Sequence, residues 1–176
     1  VNPSRGLGDV YKRQVFVPYV KKLNLENVIF ASPDAGGTER VRDYAKYFDC
    51  EFVICDKTRE KANEVKSVEV IGEVKNKDVI IVDDLIDTGG TIAMASNVIM
   101  DKGAKSVRAI ITHPVLSGNA EENLENSSLI ELVVTDSIPL NIRNKKIKVL
   151  SIAGLFAKAI RKIHENESTS SLFINR

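Results

Sequence analysis

The chain has little with which to cross-link, span or coat anything. Only two cysteines occur in 176 residues. Cys50 and Cys55 flank a strand-like run, EFVI, without the CxxC spacing of a redox or zinc site, and are expected to be reduced core thiols. No apolar stretch approaches the roughly 20 residues needed to cross a bilayer, and no charged segment with an apolar core and cleavage site opens the chain. A cytoplasmic location with no membrane partner is the expectation. The net charge is only +1 and no dense Lys/Arg block occurs, which argues against a nucleic-acid surface. Any anionic ligand must therefore be met by local groups. His113 and His164 are the only histidines. Proline follows His113 and no paired nucleophile accompanies it, so it reads as structural; His164 falls late in a helical stretch, where a cation suits the dipole.

What is present is ordinary globular material. Hydrophobic residues make up 43% and charged residues 28%, a balance that excludes disordered and fibrous classes. The length suits one domain with a real core better than two. Residues 1–14, VNPSRGLGDVYKRQ, carry neither helical nor strand periodicity; they are expected to be a non-native or disordered extension, with the domain proper at 15–176. Helices are expected at 15–23, 38–48, 92–102, 119–126 and 152–166. Strands are expected at 28–31, 52–55, 68–72, 79–82, 106–112, 130–135 and 147–151. Residues 57–66 are highly charged without a sustained apolar face and read as a mobile surface loop; 113–117 read as a loop. Alternation at this spacing indicates βαβ units: an α/β fold with a parallel sheet flanked by helices.

The most informative segment is residues 79–91, VIIVDDLIDTGGT. Val79 to Val82 is a short β-branched run of the kind that fills a strand covered on both faces. Asp83 and Asp84 follow at its carboxyl end, where open α/β sheets place ligands. Asp87, Thr88, Gly89, Gly90 and Thr91 then lead into a helix that closes at Gly103. The glycines let the backbone approach an anion, and the helix's first N–H groups and the threonine hydroxyls supply donors. That suits a phosphate. The acidic pair cannot serve it; carboxylates suit ribose hydroxyls or a divalent cation. Together they describe a phosphorylated ribose, with an accompanying Mg²⁺ left open. The plainer alternative is a turn in which Asp87 or Thr88 only caps the helix and the pair is solvated.

The whole thirteen-residue string resembles the phosphoribosyl-binding loop of the type I phosphoribosyltransferase fold. Residues 28–173 more broadly resemble the C-terminal half of the ribose-phosphate diphosphokinase (phosphoribosyl pyrophosphate synthetase) family. The resemblance runs through SPDAGG at 32–37, DKxR at 56–59, VDDLIDTGGT at 82–91, TH at 112–113, SGNA at 117–120, VVTDSIPL at 133–140 and ESTSSLF at 167–173. It implies transfer of the β,γ-diphosphoryl group of ATP to ribose 5-phosphate with Mg²⁺. Such chemistry needs cations around the transferring anion. By resemblance Lys57 is the catalytic lysine of a flexible loop and Arg59 its partner on the phosphates, although an unplaced KxR would read as a solvated surface. Thr58 stands where the family usually has a second basic residue. The resemblance also makes Asp34 a residue near the active-site cation, whereas alone it would be a turn former. Asp83 and Asp84 are implied to face the ribose, and Asp87 to Thr91 to cradle the 5-phosphate. Ser168, Thr169, Ser170 and Phe173 match a regulatory stretch for phosphate or nucleotide at a subunit interface, with a frayed polar tail as the alternative.

Complete chains of that family are nearly twice as long, and the N-terminal half supplies most of the ATP site and a metal-binding histidine. This sequence is therefore expected to be a C-terminal portion, inactive alone, of a protein that forms a homo-oligomer in full length. Two other readings compete: a phosphoribosyltransferase using the same loop, and a non-catalytic synthetase-associated regulatory subunit. Lys57, Arg59 and the SPDAGG turn argue against the first, and an intact Lys57 beside an intact Asp83 to Thr91 argues against the second.

Overall fold

The computed structural model describes the backbone of residues 7–61 and 64–172 and the side chains of residues 12–56 and 68–172. The larger of two compact units runs from Leu25 to Val149. Its strands are β1 (Val28–Ser32), β2 (Phe52–Lys61), β3 (Glu64–Ile71), β4 (Asp78–Ile86), β5 (Ser106–Pro114), β6 (Glu131–Thr135) and β7 (Ile147–Leu150). They form one seven-stranded sheet in the order β3-β2-β1-β4-β5-β6-β7. The pairs β2–β1, β1–β4, β4–β5 and β5–β6 are parallel, and β2–β3 is antiparallel. The expected parallel sheet is present, with a hairpin added at one edge.

The apolar runs form strands because both sheet faces are covered. Ala31, Ile81, Ala109 and Leu132 stand in one register row across four strands and are fully buried. They share a core with Ile92, Ala95 and Ile99 of α3 (Gly90–Asp101) and with Ala120 and Leu124 of α4 (Ala120–Glu125). Each such isoleucine contributes about 1.5–3 kcal/mol by leaving water. Phe30 alternates to the opposite face, and its ring lies 5.3 Å from Tyr44 and 5.2 Å from Phe48 of α2 (Thr38–Phe48). α2 stops where Asp49 turns left-handed, and α3 ends before Gly103, which has φ of 89°.

Chain order fixes where a ligand fits. From β1 the chain moves through α2 to β2 on one side; from β4 it moves through α3 to β5 on the other. The adjacent strands β1 and β4 are thus a topological switch point, and the connections leaving their carboxyl ends diverge to leave a crevice.

The second unit combines the segments before Leu25 and after Val149. It contains α1 (Leu7–Lys22), α5 (Ala153–His164) and a 3-10 turn at Thr169–Leu172. α1 starts eight residues before the expected helix at 15–23, so the boundary at residue 14 falls within a helix. Its first half has no apolar stripe, and periodicity could not reveal it.

Three further expectations are corrected. Residues 57–61 and 64–66 are not loop but the outer part of the β2–β3 hairpin, with register shifts at Thr58/Arg59 and Arg59/Lys61. An edge ladder is held by backbone hydrogen bonds and tolerates charge, so it needs no apolar signature. β4 continues beyond Val82 through the acidic pair to Ile86, because Leu85 and Ile86 still pair with His113 and Pro114. For the same reason His113 lies in β5 rather than in a loop.

Candidate functional site

The crevice is furnished from three segments. The first is the turn after β1. Ser32 is fully buried and its hydroxyl donates to the Asp34 carbonyl at 2.6 Å. The Asp34 carboxylate accepts from the Gly37 N–H at 3.2 Å, which caps the 3-10 turn Ala35–Gly37 leading into α2. Asp34 therefore acts at least as a turn former. Among the described residues, no three His, Cys, Asp or Glu side chains converge as a metal cage.

The second segment is the end of β4. Arg40, in the first turn of α2, reaches Asp83 Oδ1 with Nη1 and Asp84 Oδ2 with Nη2, both at 2.8 Å. The Asp84 N–H also donates to Asp83 Oδ1 at 2.8 Å. Burial pushes the Asp83 carboxyl up to about 6, opposed by the Asp84 N–H and the Arg40 charge and aided by its acidic neighbour. At neutral pH Asp83 is therefore close to its titration point.

The third segment is the loop from Asp87 to Thr91. Gly89 has φ of 75°, a conformation strained for any side-chain-bearing residue. Its carbonyl accepts the Ala93 N–H at 2.9 Å, which opens α3. Neighbouring residues hold the loop from outside. Val115 and Leu116 N–H both donate to the Ile86 carbonyl, at 3.0 and 3.2 Å, and Ser117 N–H donates to the Asp87 carbonyl at 3.2 Å. The Ser117 hydroxyl donates to the Asp87 carboxylate, and Asn123 Nδ2 donates to the Thr88 carbonyl at 2.7 Å. Glycine-rich backbone is thereby fixed at a helix N-terminus, an arrangement that can receive an anion without reorganising.

Asp83, Asp84, Asp87, Thr88, Gly89, Gly90 and Thr91 thus lie along one strand end and its following turn, with Asp34 on the neighbouring strand's turn. Lys57 and Arg59 have their backbone in β2, opposite Val68 and Val65; their side chains lie outside the described residues. Ser168, Thr169 and Ser170 belong to the second unit, where the Ser168 hydroxyl donates to Ser170 Oγ at 2.9 Å. Phe173 lies outside the described residues. His113 Nδ1 is 2.9 Å from Ser137 Oγ. Sequence reasoning missed Arg40 and Asn123. Arg40 stands three residues after the SPDAGG turn, and nothing in its helical pattern separates it from a surface arginine.

A family model described as phosphoribosyl synthetase-associated domain matches residues 36–174. The chain belongs to this family. Among members with curated names, the ribose-phosphate pyrophosphokinase of Wolinella succinogenes is 51% identical over 166 residues, covering 94% of this chain and 54% of that protein. The phosphoribosylpyrophosphate synthetase of Mycobacterium smegmatis has a solved structure that superposes with a TM-score of 0.78 at 35% identity, covering 88% of this chain and 51% of that one. The chain spans about half the length of the relatives it matches. An APRTase from Giardia lamblia superposes at a TM-score of 0.55 with 16% identity, over 72% of this chain and 77% of its own, which extends the likeness of fold beyond the family.

Proposed function

We propose that this chain is the C-terminal portion of a ribose-phosphate diphosphokinase and carries its ribose 5-phosphate site. The full protein transfers the diphosphoryl group of ATP to the 1-hydroxyl of ribose 5-phosphate, giving phosphoribosyl pyrophosphate and AMP. The observation that carries this reading is the crevice at the β1/β4 switch point. There an acidic pair and a glycine-rich helix N-terminus sit within a few residues of each other, matching the two ends of a sugar phosphate.

In this reading the N–H groups and hydroxyls of residues 87–91 receive the 5-phosphate, and Asp83 and Asp84 accept from ribose hydroxyls. Lys57 and Arg59 are the cations that neutralise the transferring group, Lys57 as the catalytic residue. Mg²⁺ commonly takes only one or two carboxylates, completing its shell with water and substrate phosphates, so Asp34 without a protein cage fits it. When bound, the ion would supply charge neutralisation for the diphosphoryl group. Ser168, Thr169, Ser170 and Phe173 would serve regulation, and the full-length enzyme would work as a homo-oligomer in the cytoplasm.

Calorimetric titration of ribose 5-phosphate into the chain with Mg²⁺ tests the reading, alongside Asp87→Ala. Saturable binding that is lost in the variant supports it. Absence of binding by the unaltered chain refutes the assignment of the site to this portion.

A further inference from the structure

The acidic pair poses a geometric problem. Adjacent residues of a strand direct their side chains to opposite faces, so Asp83 and Asp84 in succession do not by themselves make a paired acceptor. Two carboxylates brought close together also repel, more strongly where they are partly withdrawn from water. Yet here an oxygen of each lies 2.8 Å from the same guanidinium.

We infer that Arg40 is the positioning residue for the sugar end of the site, clamping Asp83 and Asp84 into one fixed acceptor for vicinal hydroxyls. The inference rests on the sugar-phosphate reading above and adds to it a residue and a selectivity. A guanidinium presents its donors in a rigid planar fork, so Nη1 and Nη2 can hold two different carboxylates at a set separation; an ammonium is a point charge and cannot. Each ionised carboxylate offers about four acceptor positions, so engagement by Arg40 leaves capacity for a hydroxyl.

The turn before α2 is shaped for this reach. A Cβ at Gly37 would overlap Ser32 Oγ and stand 3.3 Å from Arg40 Nη1, so the missing side chain is the space past which the guanidinium runs. Val41, Tyr44 and Ala45 bury α2 against the sheet, which fixes the base from which Arg40 extends. The SPDAGG turn thereby gains a function distinct from metal binding: it delivers an arginine to the neighbouring strand's carboxylates.

The test separates the sugar from the phosphate. Dissociation constants for ribose 5-phosphate, 2-deoxyribose 5-phosphate and inorganic phosphate are measured on the unaltered chain, Arg40→Met and Arg40→Lys. Loss of the clamp is expected to weaken ribose 5-phosphate about tenfold, the scale of a charge-assisted contact, and to collapse its preference over the deoxy sugar. Inorganic phosphate should stay within about twofold, since residues 87–91 remain braced by Ser117 and Asn123. Arg40→Lys should recover part of the affinity but not the preference. Parallel loss of all three ligands in both variants would show a merely structural arginine and overturn the inference. So would full selectivity in Arg40→Met, with the sugar-phosphate reading left standing. If the unaltered chain binds neither sugar phosphate, both fall together.

Discussion

Gly37→Ala provides a sharp test of how the turn after β1 is packed. The position has φ of −85° and ψ of 3°, which alanine adopts freely. By unfolded-state entropy alone, the substitution should stabilise the fold by about 0.4–1 kcal/mol. The local packing reverses that sign. The new methyl would overlap Ser32 Oγ, and Ser32 cannot yield cheaply: it is fully buried and bonded to the Asp34 carbonyl at 2.6 Å. Rotating it away strands a buried hydroxyl, at about 1–3 kcal/mol, and shifting the turn instead is overpacking of similar size. A net destabilisation of about 1–2 kcal/mol is expected. In a Ser32→Ala background the obstruction is gone, because the remaining Ser32 Cβ is 3.7 Å from the added methyl. Only Arg40 Nη1, at 3.3 Å, must then give way by a few tenths of an ångström. There Gly37→Ala should be neutral or stabilising. Urea unfolding of the four members of this cycle, with unchanged m-values, reads the coupling directly. An equal cost in both backgrounds would refute the claim that Ser32 is what excludes a side chain at residue 37.

The other predictions concern separate parts of the site and its surroundings. Asp83 titrates at about 6 rather than 3.8, so the folded chain holds a proton that the unfolded chain has released. Stability relative to Asp83→Asn should therefore fall as pH rises through that window, while the affinity for ribose 5-phosphate, which needs the ionised acceptor, rises through pH 6 beyond any rise in Asp83→Asn. Asn123→Ala removes the bond to the Thr88 carbonyl and should weaken ribose 5-phosphate and inorganic phosphate together, by about three- to tenfold in calorimetry, unlike the sugar-selective Arg40 variants. Lys146 Nζ donates to the carbonyls of Leu124, Glu125 and Ser127 at 2.7, 3.2 and 2.8 Å. Lys146→Met should destabilise the chain by about 1–3 kcal/mol in urea unfolding. Burial and the neighbouring Asp49 and Glu51 push the Cys50 thiol up from 9.0 to about 11. Its reaction with a disulfide reagent at pH 8 should run about tenfold below that of a free thiol, the smaller thiolate fraction being partly offset by the greater nucleophilicity of a more basic thiolate, and an ordinary rate would contradict the raised pKa.

Much of the fold was legible because it is written in local patterns. The runs Val79 to Val82, Ser106 to Thr112 and Ile130 to Thr135 announce buried strands by β-branched content, and Thr38 to Phe48 announces α2 by its spacing of Val41, Tyr44, Ala45 and Phe48. The parallel sheet follows once βαβ units are recognised; its strand order does not. What escaped carries no such pattern. The β2–β3 hairpin is held by backbone ladders at a sheet edge, where lysine, arginine and glutamate are acceptable. The extension of β4 through the acidic pair depends on its pairing with His113 and Pro114, a contact between segments far apart in the chain. Of the candidate site, the loop at 87–91 stood out in the sequence because phosphate chemistry selects glycine and threonine in succession. Arg40 did not, because its partners are 43 and 44 positions away and only the fold brings them together.

The electrostatics of the crevice explain why such a residue is needed. A phosphate monoester carries about −1.5 to −2 charges at neutral pH, and Asp83 and Asp84 add two more only a few residues from where it would bind. The chain as a whole offers a net charge of only +1, and charges beyond about 8–10 Å are screened at physiological salt, so no distant field can balance this. In the proposed reading, the backbone N–H groups of residues 87–91 would answer the phosphate locally, through partial charges fixed in place. Arg40 answers the acidic pair in the same way, lowering its local charge from two to one while keeping both carboxylates as acceptors. A neutral pair such as two asparagines would avoid the repulsion, but it would surrender the stronger charge-assisted bonds to hydroxyls. The clamp therefore holds two like-charged hydroxyl acceptors side by side, and this explains why the acidic pair is built with its counter-charge on the adjoining strand's helix rather than left to solvent.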